Sequence, residues 1–174
     1  MRIGIACIRT GRLSVLSLSG QALALCVLTA GVAAAQSPQA QPHCRVVGGS
    51  VMTNFIAADR TLGTAEGDLR GAVSATLLGI SSGGNETTIF TVQHHWVTET
   101  GDTIVMDVAT ATAAAVPQAP GLFAIISYPV TISGGTGRFA GASGRLENMG
   151  SVDLTTQRTV FRYVGEVCFQ SPSR

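Results

Sequence analysis

The sequence predicts an all-β domain closed as an antiparallel barrel, and three observations carry that expectation. Apolar and polar residues alternate with a period of two through most of the chain, and turn-forming clusters separate the alternating runs at short intervals. No stretch has the length and periodicity of a helix that would make parallel crossovers. Glycines inside the runs, at Gly67, Gly71 and Gly79, suit the bends that a closing sheet needs, which favours a barrel over a sandwich.

The alternating runs are residues 51–58, 68–80, 87–98, 103–111, 122–132, 144–154 and 159–169, which makes seven or eight strands. The clearest is TTIFTVQHHWVT at 87–98: Phe90, Val92, His94 and Trp96 share one face, and Ile89, Thr91, Gln93, His95 and Val97 share the other. Turn signals lie at Ser81-Ser82-Gly83-Gly84-Asn85, at Thr100-Gly101-Asp102, at 117–121 and along the glycine-rich 133–144. Residues 109–116 have helix-friendly alanines, but they are interleaved with threonine and end at Pro117, so they read as strand end and loop. Glu66-Gly67-Asp68-Leu69-Arg70 alternates charges and reads as the outside of a strand.

The N-terminus has a different composition. Arg2, Arg9 and Arg12 stand without an acid, an apolar stretch covers 13–32, and Ala33-Ala34-Ala35 precedes Gln36. That is the order of a cleavable signal peptide, residues 1–35, and it implies a periplasmic or secreted protein. Ser14, Ser17, Ser19, Gly20 and Gln21 make the apolar stretch too polar for a membrane span of about 20 residues. Neither Cys7 nor Cys26 reads as a lipoprotein-type cleavage site, since Leu25 precedes Cys26 and Cys7 stands ahead of the apolar stretch. After cleavage, residues 36–43 (QSPQAQPH) read as a flexible lead-in, 44–169 as a single barrel domain and 170–174 as a tail.

Removing the signal changes the net charge from +1 to −2, because eight Arg then face ten acids and the chain has no Lys. A mildly acidic domain with scattered Arg has no electrostatic footprint for nucleic acid or for an anionic membrane, so neither is expected as a partner. Two cysteines remain, Cys44 and Cys168, near opposite ends of the mature chain. In an oxidising compartment they most simply form a disulfide, worth roughly 4–5 kcal/mol on the chain-entropy model. A reactive thiol, or a metal site using the adjacent His43, is the competing reading, although this set lacks metal-site spacing and no metal is expected.

The most distinctive run is ISGGTGRFAGASGRL at 132–146. Its glycines invite a phosphate-loop reading, yet no Gly-Lys-Ser/Thr follows and no helix pattern supplies a dipole. A structural role fits better: Gly134, Gly135, Gly137 and Gly141 permit an irregular connection, Phe139 tucks inward, and Arg138 pairs or faces solvent. With an apolar strand before it and another strand after it, this run resembles the corresponding segment of the allene oxide cyclase and dirigent superfamily, especially its small exported bacterial members. The resemblance is specific over about fifteen residues and extends to the rest of the domain through strand count and size. It implies an eight-stranded antiparallel barrel whose lumen holds a small, mostly apolar molecule. It also implies cyclisation or coupling steered without a cofactor, and a homo-oligomer, as plant members often form. Catalytic roles do not carry over from it, because the residues that act in plant members lie in stretches that do not match here.

If the barrel encloses a pocket, the Phe90, Val92, His94 and Trp96 face is the inward candidate, with His94 beside an aromatic wall as a general acid or base. Tyr128, ahead of the glycine motif, and Tyr163 are candidate hydrogen-bond donors to a ligand carbonyl or hydroxyl. Asp107, between Met106 and Val108, either faces solvent or turns inward to a partner such as Arg162. The leading functional expectation is an exported barrel that binds a small apolar or phenolic molecule and steers a cofactor-independent cyclisation or isomerisation. The alternative is a ligand carrier, or a structural or interaction module with a filled barrel. A hydrolase is weaker, because Ser, His and Asp are present in no recognised arrangement.

Overall fold

The computed structural model describes residues 42–170. The signal-peptide reading, most of the lead-in and the tail after Gln170 fall outside the described residues. The chain forms β1 (His43–Ala57), β2 (Arg60–Gly67), β3 (Gly71–Gly84), β4 (Thr87–Thr98), β5 (Thr103–Met106), β6 (Ala109–Ala115), β7 (Leu122–Ser127), β8 (Pro129–Gly135), β9 (Ser143–Asp153) and β10 (Arg158–Phe169).

These ten strands make eight staves. β5 and β6 pair with opposite ends of β4, β7 and β8 both pair with β9, and the two interrupted pairs face each other as β6–β7 and β5–β8. β10 pairs with both β9 and β1, so the sheet closes on itself, and every pairing is antiparallel. The expected eight-stranded antiparallel barrel is the architecture found.

Both interrupted staves invert the inward-outward alternation. Ile104 and Met106 point inward on β5, then Ala109, Ala111 and Ala113 on β6, with Asp107 and Val108 exposed between them. On the facing stave the register steps from Thr112↔Ser127 to Ala113↔Ile125, so Ile126 has no partner and is 60% exposed. One extra residue flips every later side chain, which is why Phe123 and Ile125 pack inward on β7 but Tyr128, Val130 and Ile132 do so afterwards.

Several boundaries differ from the sequence expectation. β1 starts at His43 because its ladder with β10 continues through Cys44↔Cys168. β2 is a separate strand that ends with the exposed Glu66 and Gly67, and Asp68, Leu69 and Arg70 form the turn after it, so only the first two residues of Glu66 to Arg70 lie on the outside of a strand. Residues 109–115 are strand rather than strand end and loop, with alanine inward and threonine largely outward. β3 runs on through Gly84, and the reversal falls on Asn85 and Glu86, both with positive φ (44° and 60°), as a two-residue hairpin turn requires.

One end of the lumen is packed shut. Trp96 donates its indole N–H to the Leu69 carbonyl at 2.8 Å. The Tyr163 hydroxyl accepts from the Leu69 N–H and donates to the Glu66 carbonyl, each at 3.0 Å. These bonds hold the β2–β3 turn across the end of the barrel, with Leu69 fully buried and Asp68 and Arg70 exposed. Gly49 leaves room for the phenol, since a Cβ there would lie 2.5 Å from the Tyr163 hydroxyl. At the same end the glycine-rich connection forms a single 3₁₀ turn at Gly137–Phe139, and Phe139 is fully buried with its ring centroid 5.5 Å from that of Phe169. Arg138 stacks on the Phe139 ring at 4.9 Å and pairs with Asp102 at 3.8 Å. Gly137 has φ 54°, and a Cβ there would run into the Asp102 carboxylate. The motif therefore serves as a lid on the closed end.

Cys44 and Cys168 are joined in a disulfide between register partners with Cα atoms 3.8 Å apart, which takes both sulfurs out of reach of thiol or metal chemistry. It closes a loop with a sequence separation of 124. Replacing both cysteines by serine should lower the unfolding free energy by about 2–5 kcal/mol, read by urea denaturation followed through Trp96 fluorescence. An unchanged midpoint would show that the strand ladder alone fixes this end.

Candidate functional site

The other half of the barrel is hollow. A cavity of about 230 Å³ opens toward the end bounded by Ala58, Asp59, Ile80 and Leu154. That volume exceeds the ~150 Å³ apolar cavity that accommodates a benzene. Its existence follows from inward side-chain size: β6 contributes only alanines, and Ala75 of β3 stands directly opposite His94 in the ladder. Larger neighbours frame the space, with Phe90 edge-on to Phe123 (centroids 5.6 Å apart) and Tyr128 edge-on to Phe161 (5.6 Å).

The main polar feature of this wall is a histidine–tyrosine pair. His94 comes inward by the regular alternation of β4, whereas Tyr128 comes inward through the bulge that ends β7. Their side chains meet with Tyr128 Oη 2.7 Å from His94 Nε2. The Asn148 amide donates to the Tyr128 carbonyl at 3.0 Å and ties this irregular backbone to β9. Burial, with a smaller push from neighbouring His95, lowers the His94 pKa to about 4, and burial raises that of the Tyr128 hydroxyl. Both groups are thus neutral near pH 7. His94 Nδ1 is buried without a hydrogen-bond partner among the described residues. Such a group costs about 1–3 kcal/mol when left unsatisfied. A second polar spot, between β1 and β10, is self-satisfied: the Thr53 and Thr159 hydroxyls bond each other at 2.7 Å.

Phe90, Val92, His94, Trp96 and Tyr128 all line this cavity. Asp107 and Arg162 do not join them. Asp107 is exposed in the break between β5 and β6, and Arg162 is exposed on the outer face of β10, so no inward acid–base couple forms. Tyr163 is inward but its hydroxyl is spent at the closed end, and His95 points out. Residues that the sequence reading passed over include Leu77, Ile125 and Phe161 on the walls, along with Thr53, Thr159 and Asn148. Their period-two position was a signal for inward orientation, but it does not separate a cavity wall from a packed core.

No protein-family model matches the chain, and no curated protein matches it. Among solved structures, a pterocarpan synthase dirigent protein aligns over 76% of this chain and 93% of its own, at 15% identity and a TM-score of 0.32. A second pterocarpan synthase dirigent protein aligns over 78% of this chain and 100% of its own, at 13% identity and a TM-score of 0.31.

A histidine pKa near 4 in the fold, against 6.5 when unfolded, means that the unfolded chain binds the extra proton first as pH falls. His94 should therefore withdraw roughly 3 kcal/mol of stability between about pH 6.5 and 4, with the full stability present above that window. His94→Gln should lack this share of the decline when unfolding free energy is measured across the range. Parallel curves for the two proteins would place a normally titrating histidine at this site.

Proposed function

We propose that this chain is an exported barrel that binds a small, predominantly apolar molecule in the open half of its lumen. Cofactor-independent cyclisation or isomerisation, steered by confinement, is the reaction class it would serve. The observation that carries the reading is the cavity itself. It is apolar on most of its wall and carries a few polar side chains, the composition of small-molecule sites.

The wall chemistry favours holding and orienting a guest over driving a proton transfer. At neutral pH His94 is uncharged and far from its pKa, a poor general acid, and its ring partner is a phenol rather than a carboxylate. Among the described residues lining the lumen there is no serine, so the hydrolase reading finds no nucleophile beside His94. The filled-barrel alternative fits the Leu69, Trp96, Tyr163 and Phe139 end but leaves the Ala75 and Ala111 end unexplained.

Export is supported by the signal-like residues 1–35 and by the Cys44–Cys168 disulfide, a bond typical of oxidising compartments. Among the described residues no helix is long and apolar enough to cross a membrane. Native mass spectrometry of protein recovered from periplasm or medium should show a chain beginning near Gln36, lighter than the reduced form by two hydrogens. It should carry a small guest that is lost on denaturation, and the same spectrum reports subunit number. A full-length, reduced chain confined to the cytoplasm would contradict the export reading. Ala111→Leu, which fills the cavity, should cut guest retention by tenfold or more while leaving the melting temperature within a few degrees. Undiminished retention would place the guest elsewhere.

A further inference from the structure

The His94–Tyr128 pair holds one more donor hydrogen than it can use. A neutral imidazole has one N–H and a phenol one O–H, yet the two side chains share a single hydrogen bond, Oη to Nε2 at 2.7 Å. If the imidazole proton sat on Nδ1, it would be stranded, because that atom is buried with no partner among the described residues and no surface through which a guest could reach it. A stranded N–H is the rarer defect in folded proteins, and an unused lone pair is better tolerated. The network therefore assigns the proton to Nε2, which donates to Tyr128 Oη and frees the phenol hydrogen to turn into the lumen. The surplus donor then belongs to a side chain that lines the cavity.

Charge narrows the guest further. Among the lining residues the charged one is Asp59, an acid at the mouth, and no Arg lines the wall. An anion would enter past a like charge and lose its hydration with no cation to replace it.

We infer that the lumen selects an uncharged molecule carrying an acceptor oxygen, such as a ketone, which takes its hydrogen bond from the Tyr128 hydroxyl with His94 Nε2–H backing the phenol. The inference rests on the lumen-binding reading and adds the class of guest. His94 is a positioning residue: its donated hydrogen polarises the phenol and turns the O–H away from the ring nitrogen.

Three probes of nearly equal shape test it by calorimetry at pH 7: 2-acetylnaphthalene, 2-isopropenylnaphthalene and 2-naphthoate. The ketone should bind at least about tenfold more tightly than the alkene, and the carboxylate most weakly. In Tyr128→Phe the ketone should fall to the affinity of the alkene, with the alkene unchanged. Equal binding of ketone and alkene by the unmodified protein would overturn the inference while leaving the lumen reading intact. Failure of all three to bind would overturn both. A ketone preference that survives in Tyr128→Phe would assign the contact to another group. Independently of any variant, long-range proton–nitrogen NMR of His94 should show a protonated Nε2 and a bare Nδ1. A protonated Nδ1 would contradict the assignment.

Discussion

Twelve consecutive register pairs join β1 to β10, from His43↔Phe169 to Asn54↔Arg158, and through them the first and last strands of the domain become neighbours. Without that seam the sheet would have two open edges and no inside. With it, period-two alternation acquires a fixed meaning: one face of every stave lines an enclosed lumen and the other meets solvent. The disulfide lies at the end of this seam between two residues that already face each other, so it locks a closure that the ladder makes.

Closure makes a lumen, and side-chain size divides it. Large residues and a turn drawn inward fill one half, where Trp96 and Tyr163 hold the backbone of Leu69 and Phe139 caps the end. Alanines on β6 and at position 75 leave the other half open. Within the open half, the polar pair depends on an irregularity. His94 arrives by regular alternation, but Tyr128 reaches it only because one unpaired residue, Ile126, inverts the parity of its stave. Bulges commonly mark places where a strand is re-aimed toward a site, and here the re-aimed residue is the phenol.

How much of this was legible in the sequence varies with the range of the interaction. The inward face of β4 was readable because it is long, regular and aromatic, and the cysteine pairing because residues 1–35 read as a signal, which leaves two cysteines in the β-rich part of the sequence. Phe139 was readable as an inward residue because glycines surround a lone aromatic. β2 was hidden, since Thr and Gly dilute its alternation and only its neighbours β1 and β3 make it a strand. The parity switches at 107–108 and 126 were hidden as well, because an extra residue in a β-rich run looks the same as no extra residue until register is known. The fate of Asp107 followed from that, whereas Arg162 is outward by the regular alternation of β10. Tyr128 and Tyr163 were indistinguishable in composition, and only the three-dimensional partners separate a tyrosine spent on the backbone from one paired with a histidine.

On the proposed function, the hollow end of the barrel admits a guest whose oxygen meets Tyr128. The most direct measurement is a set of intermolecular NOEs between a bound naphthyl ketone and the isotope-labelled protein. Contacts are expected to the methyls of Val92 and Ile125 and to the ring of Tyr128, all lining the cavity. NOEs confined to exposed outer-face methyls such as Val46 and Met52 would contradict it and leave the lumen without a ligand-binding role.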